Sequence, residues 1–342
     1  MRLALTYHTR ECHSRAGGND AVDFERPIAS NMNAPPLPGG IGLDAFGSPR
    51  KIAAWPFRPR WLSMRFWLLL LFALASTVPA QAAPLSERQK RLAEEFAINN
   101  SLFILHHEVA HLLFDRLSLP VLGREEDAAD NMATYVLLDQ RTPTADKVLA
   151  DAARGWQLYG KLYGGELSLE DFYDEHSLDG QRAFQIVCLM VGSERKGFRD
   201  IANDYGIDLD RQESCERDYD LTKRSLESLL ERHRNQGGKS TDVRITYHPA
   251  PGALSYARDV FKRSGIFEQV ADELRKNYAL GTKVSFNARR CDEVNAFYDA
   301  DTVEIIFCYE MIDDLITMIS NEMPPESQAG SLPGRAGSQS AG

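Results

Sequence analysis

Residues 106–133 read HHEVAHLLFDRLSLPVLGREEDAADNMA, and this stretch decides how the rest of the chain is interpreted. Within it, His107 and His111 are four residues apart and enclose Glu108. Side chains four apart on an α-helix project from the same face, so both imidazoles can reach one zinc ion. Glu108 then lies beside the open coordination position, where a carboxylate can take a proton from a metal-activated water. The spacing therefore predicts a helix that carries a catalytic zinc site.

A catalytic zinc site built on two histidines needs a third protein ligand, and glutamate is common in that role. Glu126 and Asp130 follow on one face of a second predicted helix. We predict that Glu126 completes the ligand set and that Asp130 hydrogen-bonds the outer nitrogen of a ligand histidine. The neighbouring Glu125 and Asp127 are interpreted as acidic residues that the helix dipole favours at an N-terminus. The competing interpretation is a solvated helical surface with two histidines, followed by an ordinary acidic helix N-terminus.

A short apolar run lies near the front of the chain, at residues 66–80 (FWLLLLFALASTVPA). Three arginines precede it, and the small-residue site Ala80-Gln81-Ala82 follows it. This pattern is typical of a signal peptide over residues 64–82, and the run is shorter than the ~20 apolar residues of a membrane-spanning helix. We predict cleavage before Ala83 and export of the mature protein, either to the periplasm or out of the cell.

Residues 1–63 are rich in Gly, Pro, Asn and Arg and have no sustained periodicity. Because Met64 begins a signal sequence of ordinary length, we predict that the true start is Met64 and that the preceding segment is not part of the natural protein. If that segment is translated, the apolar run becomes an uncleaved signal anchor. Its basic side then stays in the cytoplasm, and the rest of the chain is still exported.

The rest of the chain is acidic. Nine of the 39 Lys and Arg residues and five of the 49 Asp and Glu residues lie in residues 1–82, which leaves 30 basic and 44 acidic side chains and a formal charge of −14. This charge repels nucleic acids and anionic membrane surfaces, so we predict neither as a partner. Membrane contact is expected only through the signal segment, if that segment stays uncleaved.

The cysteines that follow the predicted signal peptide are Cys188, Cys215, Cys291 and Cys308. An even number in an exported chain predicts two disulfides. Proximity along the chain favours the pairs Cys188–Cys215 and Cys291–Cys308, although four cysteines allow three pairings. The alternative is a set of free, buried thiols.

The hydrophobic periodicity changes at a loop signal near residues 235–238. Before it the spacing is helical, and the predicted helices cover a long segment around the two histidines and then residues 124–139, 145–163, 180–192 and 212–233. After it the predicted elements are strands at 243–247 and 283–287, a helix at 253–278, a hairpin over 295–308 and a helix at 309–319. The pattern predicts an α+β fold, mostly helical with a small mixed sheet. In this reading residues 83–240 form a helical part with the zinc site, residues 241–320 form an α/β part of the same domain, and residues 321–342 form a disordered tail.

Three segments together resemble a bacterial family of HExxH metallopeptidases: HEVAH at residues 107–111, LPVLGREEDAAD at 119–130 and DEHSLDGQR at 174–182. That family is defined by its sequence and is largely uncharacterised. The resemblance covers most of residues 90–320. It implies a zincin-like fold of the gluzincin type, one zinc ion per chain and a peptide or protein substrate, without indicating which substrate.

The same resemblance draws attention to His176, within the third segment. This histidine is a candidate for a catalytic group that supports the zinc site or stabilises the transition state. The competing interpretation is a loop histidine that precedes a helix begun by Ser177 and Asp179.

A further likeness concerns Asn295, Ala296 and Phe297, which are similar to the Asn-Ala-Phe edge strand of membrane and periplasmic HExxH peptidases. In those enzymes the strand borders the substrate cleft. An edge strand has free backbone N–H and C=O groups, so it can pair with an extended peptide. The competing interpretation is an ordinary hairpin tethered by Cys291 and Cys308.

The order of the parts departs from the pattern of the family, in which the strand portion precedes the HExxH helix. Here it follows, at residues 243–320. Either the chain is circularly permuted, or residues 243–320 begin a second, truncated unit. Permutation is the preferred hypothesis, because residues 83–240 alone would lack the sheet that flanks a zincin active-site helix. It predicts that residues near 85 and 320 lie close together.

The sequence thus favours a single zincin-like unit that hydrolyses peptide bonds, with zinc held by His107, His111 and Glu126 and with Glu108 as the general base. Two other classes compete: a zinc-stabilised binding module without catalysis, and an inactive peptidase-like scaffold that presents the edge strand to a partner. Structural zinc sites usually have a fourth protein ligand and favour cysteine, and the cysteines here are far from the motif in sequence.

Overall fold

The structure is a computed structural model that describes residues 85–237 and 240–324. The predicted signal segment, the extension before it and residues 325–342 of the predicted tail lie outside the described residues. Within the described ranges, every helix is too short or too polar to cross a membrane.

The described part of the chain is helical up to residue 230 and mixed after it, so the prediction of a mostly helical α+β fold is confirmed. The helices of the first part are α1 (Glu87–Arg116), α2 (Glu125–Gln140), α3 (Pro143–Tyr163), α4 (Glu170–Tyr173), α5 (Asp179–Ser193), α6 (Arg195–Asp204) and α7 (Leu209–Leu230), followed by a 3₁₀ turn at Glu231–His233. The second part contains β1 (Asp242–Tyr247), α8 (Leu254–Ser264), α9 (Ile266–Asn277), β2 (Lys283–Arg289), β3 (Ala296–Asp299), β4 (Glu304–Cys308) and α10 (Tyr309–Glu322).

Two helices were not predicted and one prediction was wrong. Helix α6 buries only Ala202, so it lacks the apolar stripe that identifies a helix from sequence, and α4 has only four residues. The single helix predicted at 253–278 is two helices, α8 and α9. They are separated by Gly265, whose φ of 72° lies in the left-handed region that ends a helix and that glycine adopts without strain.

Helix α1 is the central element, with 30 residues and a length of about 45 Å. It begins with a capping box, in which the Ser86 hydroxyl accepts from the Gln89 amide at 3.3 Å and the Gln89 side chain accepts from the Ser86 amide at 3.0 Å. Its buried residues recur around most of its circumference, including Phe103, Leu105 and Leu112. It packs against α2, α3, α10 and the sheet, so it joins both parts of the fold.

The sheet has the order β1-β2-β4-β3, with β1, β2 and β4 parallel and β3 antiparallel to β4. Helices α8 and α9 connect the parallel strands β1 and β2. An aromatic cluster of Phe261, Phe267, Phe286 and Phe307 fills the space between these helices and the sheet. Strands β1 and β3 are therefore the two edges of this sheet, and β3 lies against α1.

Both predicted disulfides are present. Cys188–Cys215 joins α5 to α7, and Cys291–Cys308 joins the loop before β3 to the end of β4. Gly192 allows α5 and α7 to approach closely, because a Cβ there would lie 2.2 Å from the carbonyl oxygen of Cys215. The alternative of free thiols is excluded for these four residues.

The two ends of the described chain meet. The Gln89 side chain donates to the Pro324 carbonyl at 3.0 Å, and α1 packs against α10 through Ala93 and Phe96 on one side and Leu315 and Ile319 on the other. This closeness is what the permutation hypothesis requires. The permutation itself stays a prediction.

Candidate metal centre

Helices α1 and α2 bring three donor atoms together. His107 Nε2 lies 3.1 Å from His111 Nε2 and 3.0 Å from Glu126 Oε2, and His111 Nε2 lies 3.5 Å from Glu126 Oε1. Around a tetrahedral zinc ion with bonds of ~2.0–2.1 Å, ligand atoms are separated by ~3.3 Å. The donor set and its spacing therefore fit zinc, and the register between the two helices is the one that the sequence predicted.

The outer nitrogen of each histidine is held by a carboxylate. His107 Nδ1 lies 2.8 Å from Asp130 Oδ1, and His111 Nδ1 lies 2.8 Å from Glu125 Oε1. A carboxylate on Nδ1 fixes the proton there and leaves the Nε2 lone pair for a metal. The role predicted for Asp130 thus agrees with its position. The interpretation of Glu125 as a helix-terminus charge alone is incomplete, because the sequence does not show which way its side chain turns.

The charge of the pocket also favours a cation. Burial opposes protonation of His111, yet hydrogen bonds to Glu125 and Glu126 raise its pKa to about 10. Burial likewise opposes ionisation of Glu126, but its hydrogen bonds to His107, His111 and His176 hold its pKa well below the usual range. The carboxylates thus stay ionised, and they favour positive charge at the imidazoles, either as a proton or as a bound cation.

Asp130 is fixed in turn by Arg182 of α5. The Arg182 guanidinium donates from Nε to Oδ2 at 2.7 Å and from Nη2 to Oδ1 at 2.8 Å, and it lies 3.6 Å over the ring of Trp156. Burial opposes ionisation of Asp130, but the Arg182 charge holds its pKa well below the usual range. Arg182 was not assigned a role from sequence. It belongs to the DEHSLDGQR segment, but its partner lies on another helix 52 residues away.

Glu108 lies within the same pocket and is only 6% exposed. Burial raises the pKa of Glu108 and the Glu126 carboxylate acts in the same direction, against the attraction of His107 and His111. A carboxylate whose pKa is raised accepts a proton more readily than an exposed glutamate, which is the property a general base needs.

The structure also brings His176 to this pocket. His176 Nε2 lies 2.8 Å from Glu126 Oε2, and Arg124 donates to the His176 carbonyl at 3.1 Å. Helix α5 begins after Leu178, so His176 stands in the loop before the helix as the competing interpretation supposed. Its ring nevertheless contacts a candidate metal ligand.

The edge strand lies beside the same face of α1. The Tyr298 hydroxyl of β3 donates to Asp115 Oδ2 at 2.6 Å, and Asp115 follows His111 by four residues. Ala296 and Phe297 belong to β3, and Asn295 precedes it and accepts from the Cys308 amide at 3.1 Å. The structure therefore places the predicted edge strand against α1, where it contacts the helix one turn beyond His111.

The sequence profile of a family described as "Putative metallopeptidase" matches residues 72–230 and 249–330, more than two thirds of the chain. This chain belongs to that family. Membership implies a metal and a peptidase activity, and the matched ranges contain every residue of the pocket described above. No curated protein and no solved structure matches the chain.

Proposed function

We propose that the protein is a zinc-dependent metalloendopeptidase with a zincin-like, gluzincin-type site, and that His107, His111 and Glu126 bind one zinc ion per chain. The observation that carries this proposal is the set of three donor atoms 3.0–3.5 Å apart. The carboxylates on both outer nitrogens support it, since they leave the inner nitrogens to a metal.

A bound zinc ion would supply a Lewis acid that polarises the scissile carbonyl and lowers the pKa of water. Glu108 would act as the general base, taking a proton from the attacking water and delivering it to the leaving amine. Its burial beside the ligand histidines supports this role, because a desolvated carboxylate holds a proton long enough to transfer it.

We assign His176 the second catalytic role. Its Nε2 lies 2.8 Å from Glu126, so the ring stands at the rim of the pocket. From there a protonated Nε2 could donate a hydrogen bond to the oxyanion that develops on the substrate carbonyl. Arg124 positions the loop that carries His176 through its backbone carbonyl.

The substrate would bind as an extended segment along β3. Among the described strands, β3 pairs with β4 alone, so the backbone groups of its other side can add a peptide strand. The hydrogen bond from Tyr298 to Asp115 keeps β3 close to the face of α1 that carries the zinc ligands.

We further propose that the protein acts outside the cytoplasm, in the periplasm or after secretion. The apolar run at residues 66–80 supports export, and so do the two disulfides, which persist in oxidising compartments.

The test is Glu108→Gln, which replaces the general base by a group of the same shape. We expect the variant to keep its zinc and to lose at least about 100-fold in turnover of a peptide substrate, because it cannot accept the proton. Zinc content and peptide hydrolysis are measured on the same preparation. Unchanged hydrolysis would reject Glu108 as the base, and a wild-type protein that holds zinc but cleaves none of a diverse peptide set would favour a binding module or an inactive scaffold.

A further inference from the structure

An exposed apolar segment lies between α3 and the loop of His176. Residues 162–173, called here the apolar segment, carry six large apolar side chains that are 47–77% exposed: Leu162, Tyr163, Leu167, Leu169, Phe172 and Tyr173. Contiguous apolar surface of this kind on a soluble protein marks an interaction site more often than chance.

The apolar segment does not contribute to the core. No residue from 161 to 175 is buried, and this holds both for the last residues of α3 and for the whole of α4. Tyr163 packs its ring 5.6 Å from that of Tyr159 and places its hydroxyl 3.5 Å from Asp314 of α10, but the other five side chains stay largely exposed. No described residue buries these five side chains, so their apolar surface is open to a ligand.

The apolar segment is continuous with the candidate metal centre. It runs directly into Asp174 and His176, and His176 contacts Glu126. On the other side of this loop, Arg124 donates to the His176 carbonyl, and Leu122, two residues before Arg124, is 98% exposed. A ligand that reaches the pocket along this side meets an apolar surface.

The charge of the apolar segment limits the kind of ligand that can bind it. Residues 162–176 contain five carboxylates and no Lys or Arg: Glu166, Glu170, Asp171, Asp174 and Glu175. An acidic surface with exposed leucines and aromatics is complementary to a ligand that combines apolar side chains with positive charge. It repels an anionic membrane.

We propose that the apolar segment is the part of the substrate site that selects polypeptides with apolar side chains next to Lys or Arg. This inference rests on the proposed function, because it places the segment on the substrate's path to the zinc site. The occupant is a segment of the substrate polypeptide, which would cover Leu169 and Phe172 when bound.

The test uses the full chain with Glu108→Gln, so that peptides bind without being cleaved. Three fluorescein-labelled probes are compared by anisotropy: Lys-Leu-Phe-Leu-Leu-Lys, the same peptide with glutamates for the lysines, and the same peptide with serines for the apolar residues. We expect the lysine-flanked apolar probe to bind about tenfold or more tightly than either other probe. Leu169→Ser with Phe172→Ser should remove that preference.

A matched control is Leu209→Ser with Leu221→Ser, which changes two exposed leucines on α7 (70% and 56% exposed) far from the pocket in sequence. It should bind the probes as the parent does. Equal binding of all three probes, or unchanged binding in the Leu169 and Phe172 variant, would overturn the inference. Binding to phosphatidylcholine vesicles that is lost in that variant, with no probe preference, would assign the segment to a membrane surface instead.

Different results would contradict the inference and the proposed function. If the wild-type protein cleaves peptides but shows no preference among the three, only the inference is wrong. If probe selection depends on Leu169 and Phe172 but the wild-type protein cleaves nothing, the surface is a peptide-binding site and the proposed catalysis is wrong.

Discussion

At the scale of single residues, the adjacent histidines His106 and His107 of α1 lie in different environments. His107 and His111 turn their inner nitrogens towards each other and Glu126. His106, adjacent to His107, points in a different direction, and burial lowers its pKa to about 4. Its Nε2 lies 3.7 Å from Glu273 Oε2, and both residues line a cavity of about 310 Å³. The spacing of the motif alone distinguishes His107 from His106, because only His107 shares a helical face with His111.

The carboxylates behind the two histidines give a prediction at this scale. Replacing Asp130 by Asn or Glu125 by Gln should weaken zinc binding by about 10–100-fold, since the outer nitrogen loses its charged partner. Competition with a fluorescent zinc chelator at constant pH measures the change. Asp127→Asn, on the same turn of α2, is the control and should bind zinc as the wild type does. An unchanged affinity in both test variants would mean that the imidazoles are oriented by packing alone.

At the scale of elements, three helices meet around one buried ion pair. Asp130 of α2 and Arg182 of α5 form the pair, and Trp156 of α3 covers the guanidinium. The pair orients His107 and also joins the helices that form the pocket. Arg182 therefore affects the free energy of unfolding as well as the orientation of His107 in the metal centre.

Arg182→Met should lower the free energy of unfolding by about 3–5 kcal/mol at pH 7, because Asp130 is left buried and charged without its partner. Urea unfolding in the presence of a chelator measures this without a contribution from metal. Arg195→Met, which removes an exposed arginine, is the control and should change stability by less than about 1 kcal/mol. Arg182→Met combined with Asp130→Leu should recover much of the loss, and a double variant as unstable as the sum of both changes would contradict the account.

The Asp130–Arg182 pair also determines how the stability of the fold changes with pH. The folded-state pKa of Asp130 lies below its unfolded value of ~3.9, so the pair stabilises the fold above that pH. Its contribution is lost as the pH falls towards the lowered folded-state pKa.

The elements differ in how far sequence could predict them. The proposed ligands lie on two helices with strong periodicity and a short connection, so the register of His107, His111 and Glu126 follows from spacing. Arg182 and the hydrogen bond from Tyr298 to Asp115 depend on how distant segments pack. Local periodicity carries no information about such contacts, and the break at Gly265 was missed because the apolar pattern continues through it.

At the scale of the whole molecule, α1 joins the helical part to the sheet. Its start packs against α10, and its second half carries His107 and His111, two of the three proposed zinc ligands, and Asp115, which hydrogen-bonds the edge strand. Helix α1 therefore contacts both parts of the chain, and the matched family ranges also extend to both sides of the loop near residue 238. Sequence predicted both parts but not that α1 would be the helix between them.

The central claim is that His107, His111 and Glu126 form a zinc site, and zinc content measures it most directly. Elemental analysis is performed on the full chain purified without chelator, on the variant His107→Ala with His111→Ala, and on His248→Ala, which changes an exposed histidine after β1. Circular dichroism checks that all three are folded. The account predicts one zinc per chain in the wild type and the His248 control, and none in the double variant. Zinc retained by the folded double variant, or no zinc in the wild type even after reconstitution, would contradict it.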